Sequence, residues 1–205
     1  MSDPERQSET IALMRDILGS SYTKLHVKRA MIEESLEEGT TAVTCEVRDE
    51  GSDETSVIAG KGVGVIDAFF QGVHSRFAEE YPSLKTVRFS SFNVDAQLDT
   101  GEAFAATDSQ ATITVEIANS EDQRFSFSHT SRSVNAASLV TTLRGLEYFI
   151  NSERAFVSMY HALGDAEERN RSDLIQRYTG ILATLVQNTS YSEVISRIKE
   201  DIKKL

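Results

Sequence analysis

The densest chemical signal is the run Gly60-Lys61-Gly62-Val63-Gly64-Val65-Ile66-Asp67-Ala68. Three glycines stand between a strand-like and a helix-like segment. Glycine permits close backbone approach, so such a loop can turn free N–H groups towards an anion above a helix N-terminus. The run lacks the Lys-Ser/Thr that follows the last glycine of a phosphate-binding P-loop. It also lacks the parallel βαβ setting of a dinucleotide fingerprint. On spacing alone, a tight strand-to-helix turn is the simpler explanation. Asp67 has two readings. A carboxylate in the first turn of a helix is favoured by the macrodipole, by roughly 0.3–1 kcal/mol. It can equally hold a ligand ammonium or hydrogen-bond a neighbouring loop.

Other reactive side chains form no constellation. His26, His74, His129 and His161 are scattered without metal-ligand spacing. His129 stands among Ser128, Ser131 and Ser133, but no Gly-x-Ser-x-Gly elbow is present. A local hydrogen-bonding role is expected for it ahead of ligand contact. An enzyme using Asp67 or His129 as acid or base has only their location near a cleft in its favour. The single cysteine, Cys45, falls in the alternating run Ala42-Val43-Thr44-Cys45-Glu46-Val47. It reads as a half-buried strand residue rather than a nucleophile, and it suits a reducing compartment. No catalytic residue, cofactor or metal is expected.

The net charge of −11 argues against a phosphate-backbone binder, so no nucleic-acid partner is expected. The acidic clusters at Glu33-Glu34, Glu37-Glu38 and Asp49 to Glu54 read as solvated turns, without the alternation of a calcium loop. The best apolar stretch, Val63 to Phe70, is too short to span a bilayer. The opening Met1-Ser2-Asp3-Pro4-Glu5 is unlike a secretory leader. A cytoplasmic protein without membrane association is the expectation.

The elements around the glycine run follow from periodicity. Asp3 as N-cap and Pro4 at the first helical position start a helix with Ile11, Met14, Ile17 and Leu18 on one face, and Gly19 stops it. Leu25, Val27, Ala30 and Ile32 suggest a long strand from Tyr22. Thr41 to Val47 and Ser56 to Ala59 give two more. Val65 to Tyr81 reads as a helix before Pro82, with Ile66, Phe69, Phe70, Val73 and Phe77 on one face. The order then repeats: strands over Lys85–Phe92, Gln110–Ala118 and Arg124–His129, then a helix over Ser133–Asn151. Asp67 and Ser133 stand 66 residues apart, which suggests a duplication. Past a charged connector at Glu167–Arg171, Leu174 to Val186 forms an amphipathic stripe. Ser190-Tyr191-Ser192-Glu193 opens a last helix ending in Lys199–Lys204. These tail helices are expected to cover their own domain. The predicted class is α+β: an N-terminal helix over 1–20, duplicated βββα units over 21–155 divided near 82, and a helical extension over 156–205.

Gly62-Val63-Gly64-Val65-Ile66-Asp67-Ala68 resembles the Gly-x-Gly-Pro-Val-Asp-Ala motif of the regulatory domain of 2-isopropylmalate and citramalate synthases, with Val65 in place of Pro. The second repeat of that family carries Gly-x-x-x-Asp-Ile-x-x-Ala-Ser. The matching stretch here is His129 to Ser138: Val134, Ala137 and Ser138 fit, while His129 replaces the glycine and Ser133 the aspartate. Thr107-Asp108 followed by the strand Ala111 to Ile117 looks like the family's middle strand. The resemblance covers about Tyr22 to Asn151 and implies an allosteric dimerisation domain, here without the synthase's catalytic barrel. It implies a homodimer that binds the end product of leucine biosynthesis or a related pathway, leucine or isoleucine, between two loop–helix corners. By resemblance, Gly62, Gly64, Ile66, Asp67 and Ala68 line one corner, and Ser131, Ser133, Val134 and Ala137 the other. Two functions are therefore expected. The first is a non-catalytic small-molecule sensor acting through dimerisation or on a separate synthase. The alternative is a dimerisation scaffold that has lost its effector.

Overall fold

The alternating segments become two antiparallel three-stranded sheets, each backed by a helix, as the computed structural model shows for residues 4–51, 54–96 and 110–186. The first sheet is β1 (Leu25–Ser35), β2 (Thr40–Asp49) and β3 (Thr55–Gly62), in that order. Its helix is α2 (Val65–Phe77). The second is β4 (Arg88–Ala96), β5 (Ala111–Ala118) and β6 (Arg124–Ser131), with α3 (Val134–Glu168). The helix α1 (Pro4–Leu18) precedes them and α4 (Ser172–Val186) follows. The expected α+β class and βββα duplication are both present. The Asp3 cap, Thr107, Asp108 and the helix expected from Ser190 lie outside the described residues.

Each middle strand puts alternate residues into the core: Val43, Cys45 and Val47 on β2, and Ile113, Val115 and Ile117 on β5. The helices bury the matching stripes. Ala68, Phe69 and Val73 face inward on α2; Leu143, Leu146, Phe149 and Ile150 do so on α3. The duplication extends to a defect. In β1, Val27 pairs with Val47 and Arg29 with Glu46, leaving Lys28 as an extra residue. In β4, Phe89 pairs with Ile117 and Ser91 with Glu116, leaving Ser90. A bulge at the same place in both first strands shifts the inward set by one residue and bends the strand.

Three element ends differ from expectation. The α2 helix stops at Phe77 rather than Tyr81; residues 78–80 are turns, and Tyr81, ahead of Pro82, lies outside the helical region at φ −119° and ψ 88°. The strand expected from Lys85 starts at Arg88, because Pro82–Lys85 forms a 3-10 turn whose Ser83 N–H donates to Glu153 (2.9 Å). The α3 helix does not end at Asn151 but runs to Glu168, so the boundary drawn after 155 falls inside it. The polar run Asn151-Ser152-Glu153 reads as a helix end, yet all three are buried. Asn151 accepts the Thr23 N–H and donates to the Thr23 carbonyl (2.8 Å each), so its polarity is matched inside the core.

The outer helices pack on helices. Leu182 and Leu185 of α4 are buried, and α4 lies along α3 rather than over a sheet. The α1 helix packs on α3 and reaches the edge of β6. There the Gln7 carboxamide donates to the Ser126 carbonyl (2.9 Å) and accepts its N–H (3.1 Å). One side chain thereby occupies backbone groups that would otherwise be open to a further strand.

Candidate functional site

The glycine corner is built by close approach. Added to Gly60, a Cβ would lie 2.0 Å from the Ala68 carbonyl oxygen and 2.5 Å from the Gly72 nitrogen. Added to Gly62, it would meet Asp67 Oδ2 at 2.3 Å and the Ala68 nitrogen at 2.6 Å. Gly60, Gly62 and Gly72 thus let α2 lie directly on β3. Gly64 is different: it is the N-cap of α2 in an extended conformation, and its Cβ position faces open space. Asp67, third in the helix, reaches back to accept the Val63 N–H (3.0 Å) and also accepts from Gln71 Nε2 (3.3 Å). This bond resembles one half of a capping box, shifted to the residue before the N-cap, and it ties the loop to the helix. Asp67 thus fits both readings in part: it stands in the first turn of α2 and it hydrogen-bonds the loop ahead of the helix.

The second corner has the same plan with different chemistry. The Ala68 N–H donates to the Gly64 carbonyl (2.8 Å), and the Ala137 N–H donates to the Ser133 carbonyl (2.9 Å). Cap therefore matches cap, Gly64 with Ser133, and Asp67 has no counterpart at Ser133. Ser133 Oγ accepts the Ala136 N–H, while Ser131 Oγ accepts the Ser133 N–H (3.2 Å each). Both serines are thus engaged in capping α3. Among the residues expected at the two corners, Ala68 and Ala137 are fully buried in the core. Gly62, Gly64, Ile66, Asp67 and Ser131 are half-buried, and Ser133 and Val134 are exposed.

A cavity of about 410 Å³ adjoins the second corner. Its lining comes from the first turns of α3, including Ser133, and from β1 around its bulge, with none from the glycine loop. Reading the sequence for motifs passes over this site. The signal for it is a change of parity: Val27 is odd and Ala30 and Ile32 are even, which a bulge between them explains.

Electrostatics at the corners are mild. Burial, with the positive charge of Arg144 nearby, lowers the His129 pKa. Cys45 is fully buried, and desolvation pushes its thiol up to about 11, so it is no nucleophile. Among the described residues, no group of three or more His, Cys, Asp or Glu could hold a metal ion. No described helix is long and apolar enough to cross a membrane.

No curated relative matches the sequence. The model of the LeuA allosteric (dimerisation) domain matches residues 6–150, from within α1 to the middle of α3. That span takes in both βββα units, both bulged strands and both corners. With most of the chain matched and the duplicated architecture in place, the chain belongs to the LeuA allosteric (dimerisation) domain family.

Proposed function

We propose that the chain is a non-catalytic regulatory module that senses a small molecule as a homodimer. Membership of an allosteric dimerisation family supports the regulatory role. The observation that carries the sensing role is the pair of loop–helix corners, with the N-cap of α2 at Gly64 facing open space and the N-cap of α3 at Ser133 exposed. At Gly64 no neighbouring atom lies within 4 Å of the Cβ position, so the approach to α2 is unobstructed. The corner residues Gly62, Gly64, Ile66 and Asp67, with Ser131, Ser133 and Val134, are the proposed contact set. A branched-chain amino acid such as leucine or isoleucine is the proposed effector, and a separate synthase in the cytoplasm the proposed target.

A thermal-shift screen against the twenty amino acids and common 2-oxo acids tests this. A ligand present at 100 times its Kd adds about 2.7 kcal/mol of stability. A selective shift that disappears in Gly64→Trp is expected. A well-folded dimer that responds to nothing overturns sensing.

A scaffold reading has one observation in its favour. The Asp67 carboxylate is engaged by Val63 and Gln71, and the Ser133 hydroxyl by Ala136. Polar groups that would meet a zwitterion are thus already satisfied. Unchanged dimerisation of Gly64→Trp, with no ligand response in either protein, is the result that reading requires.

A further inference from the structure

The cavity beside α3 differs in character from the glycine corner. Its apolar wall is Val27 and Ile32 of β1 with Leu139 and Val140 of α3. Leu139 is buried and the other three are half-buried, so the wall continues the core outward. The bulge places two consecutive cations, Lys28 and Arg29, on the same lining. Both are exposed, and neither has an ion-pair partner among the described residues. Glu46 stands directly across from Arg29 in the sheet but does not line the cavity. Among the described residues, no acidic side chain lines it.

A volume of about 410 Å³ falls within the usual range for small-molecule sites. Apolar walls favour a hydrocarbon tail, and two exposed cations on the lining favour one negative charge. An ammonium group would be desolvated next to two like charges with no carboxylate to receive it. We propose that this cavity binds a short, branched-chain carboxylate that carries no ammonium group, in preference to the corresponding amino acid. The inference rests on the small-molecule reading above and changes its ligand class and its position.

Three probes with nearly the same tail separate the chemistries: 4-methylpentanoate, leucine and 3-methylbutylamine. They are titrated calorimetrically into the full chain. The acid is expected to bind, with leucine weaker by roughly tenfold or more and the amine undetectable. The double variant Lys28→Gln/Arg29→Gln changes only exposed side chains and is expected to abolish acid binding with its fold intact. Val140→Trp fills the cavity and is expected to do the same. Leucine binding that survives Val140→Trp but is lost in Gly64→Trp overturns this inference and leaves sensing at the glycine corner standing. Acid binding that is unaffected by both cavity variants also overturns it. Absence of binding by all three probes overturns this inference and the leucine-type sensing reading together.

Discussion

Among single residues, Glu147 has the largest consequence. Its carboxylate lies on the buried side of α3 and accepts the Leu25 N–H at the start of β1. Burial pushes its pKa up to about 7. The Leu25 hydrogen bond and the charges of Arg144 and Lys24 offset part of that, and Asp49 adds to it. The folded state therefore holds a proton that the unfolded chain releases near 4.5. This group's stabilising contribution is complete below about pH 4.5 and is lost as pH rises through about 7. The size of the loss is on the order of 2–3 kcal/mol. Glu147→Gln keeps an oxygen for Leu25 and removes the titration. Urea midpoints are expected to be similar for variant and parent at pH 5, with the variant ahead at pH 8. A variant less stable than the parent at pH 8 would show that the ionised carboxylate is favourable beside Arg144 and Lys24. Other groups titrate equally in both proteins, so the difference isolates this one.

At the scale of elements, the strand-to-helix corner divides its glycines into two kinds, and the division is testable. Gly60→Ala places a methyl against backbone atoms of α2 that cannot swing aside. It is expected to cost about 1–3 kcal/mol by forcing α2 off β3. Gly64→Ser meets open space, and its extended backbone suits an N-cap serine, as Ser133 already shows in the second repeat. Its effect is expected to be within about 0.5 kcal/mol, on the stabilising side. Chemical denaturation of the two variants checks both values. The order of elements along the chain, the helix faces and the tight glycine turn are legible in the sequence, because periodicity and glycine spacing record burial directly. Other features are not. A polar residue such as Asn151 looks like a helix end unless its partner, the Thr23 backbone 128 positions away, is known. Ser131 stands at an unspecified motif position and Ser133 in place of the motif's aspartate, so the sequence does not reveal that their hydroxyls cap α3. The bulges leave only a slip in alternation, easily taken for an imperfect strand.

For the whole molecule, the long helix α3 is the seam between the repeats. It packs on its own sheet and reaches both entry points of the chain. Asn151 holds Thr23 ahead of β1, and Glu153 holds Ser83 ahead of β4. It also carries α1 and α4. A duplicated architecture invites independent unfolding of its halves, since each sheet has its own helix. A shared seam of buried hydrogen bonds opposes that, because neither half can open without exposing polar groups satisfied by the other. A single cooperative transition is therefore expected, with far-ultraviolet circular dichroism and tyrosine fluorescence coincident in urea. Asn151→Ala removes the amide that serves both the N–H and the carbonyl of Thr23. Leaving these two backbone groups buried without partners is expected to cost about 2–4 kcal/mol. If α3 is the common seam, the variant lowers the midpoint seen by both probes together. If the repeats are separate folding units, only part of the signal moves and the two probes diverge. Hydrogen exchange would then place the early opening at α1 and β1, the elements that Thr23 connects.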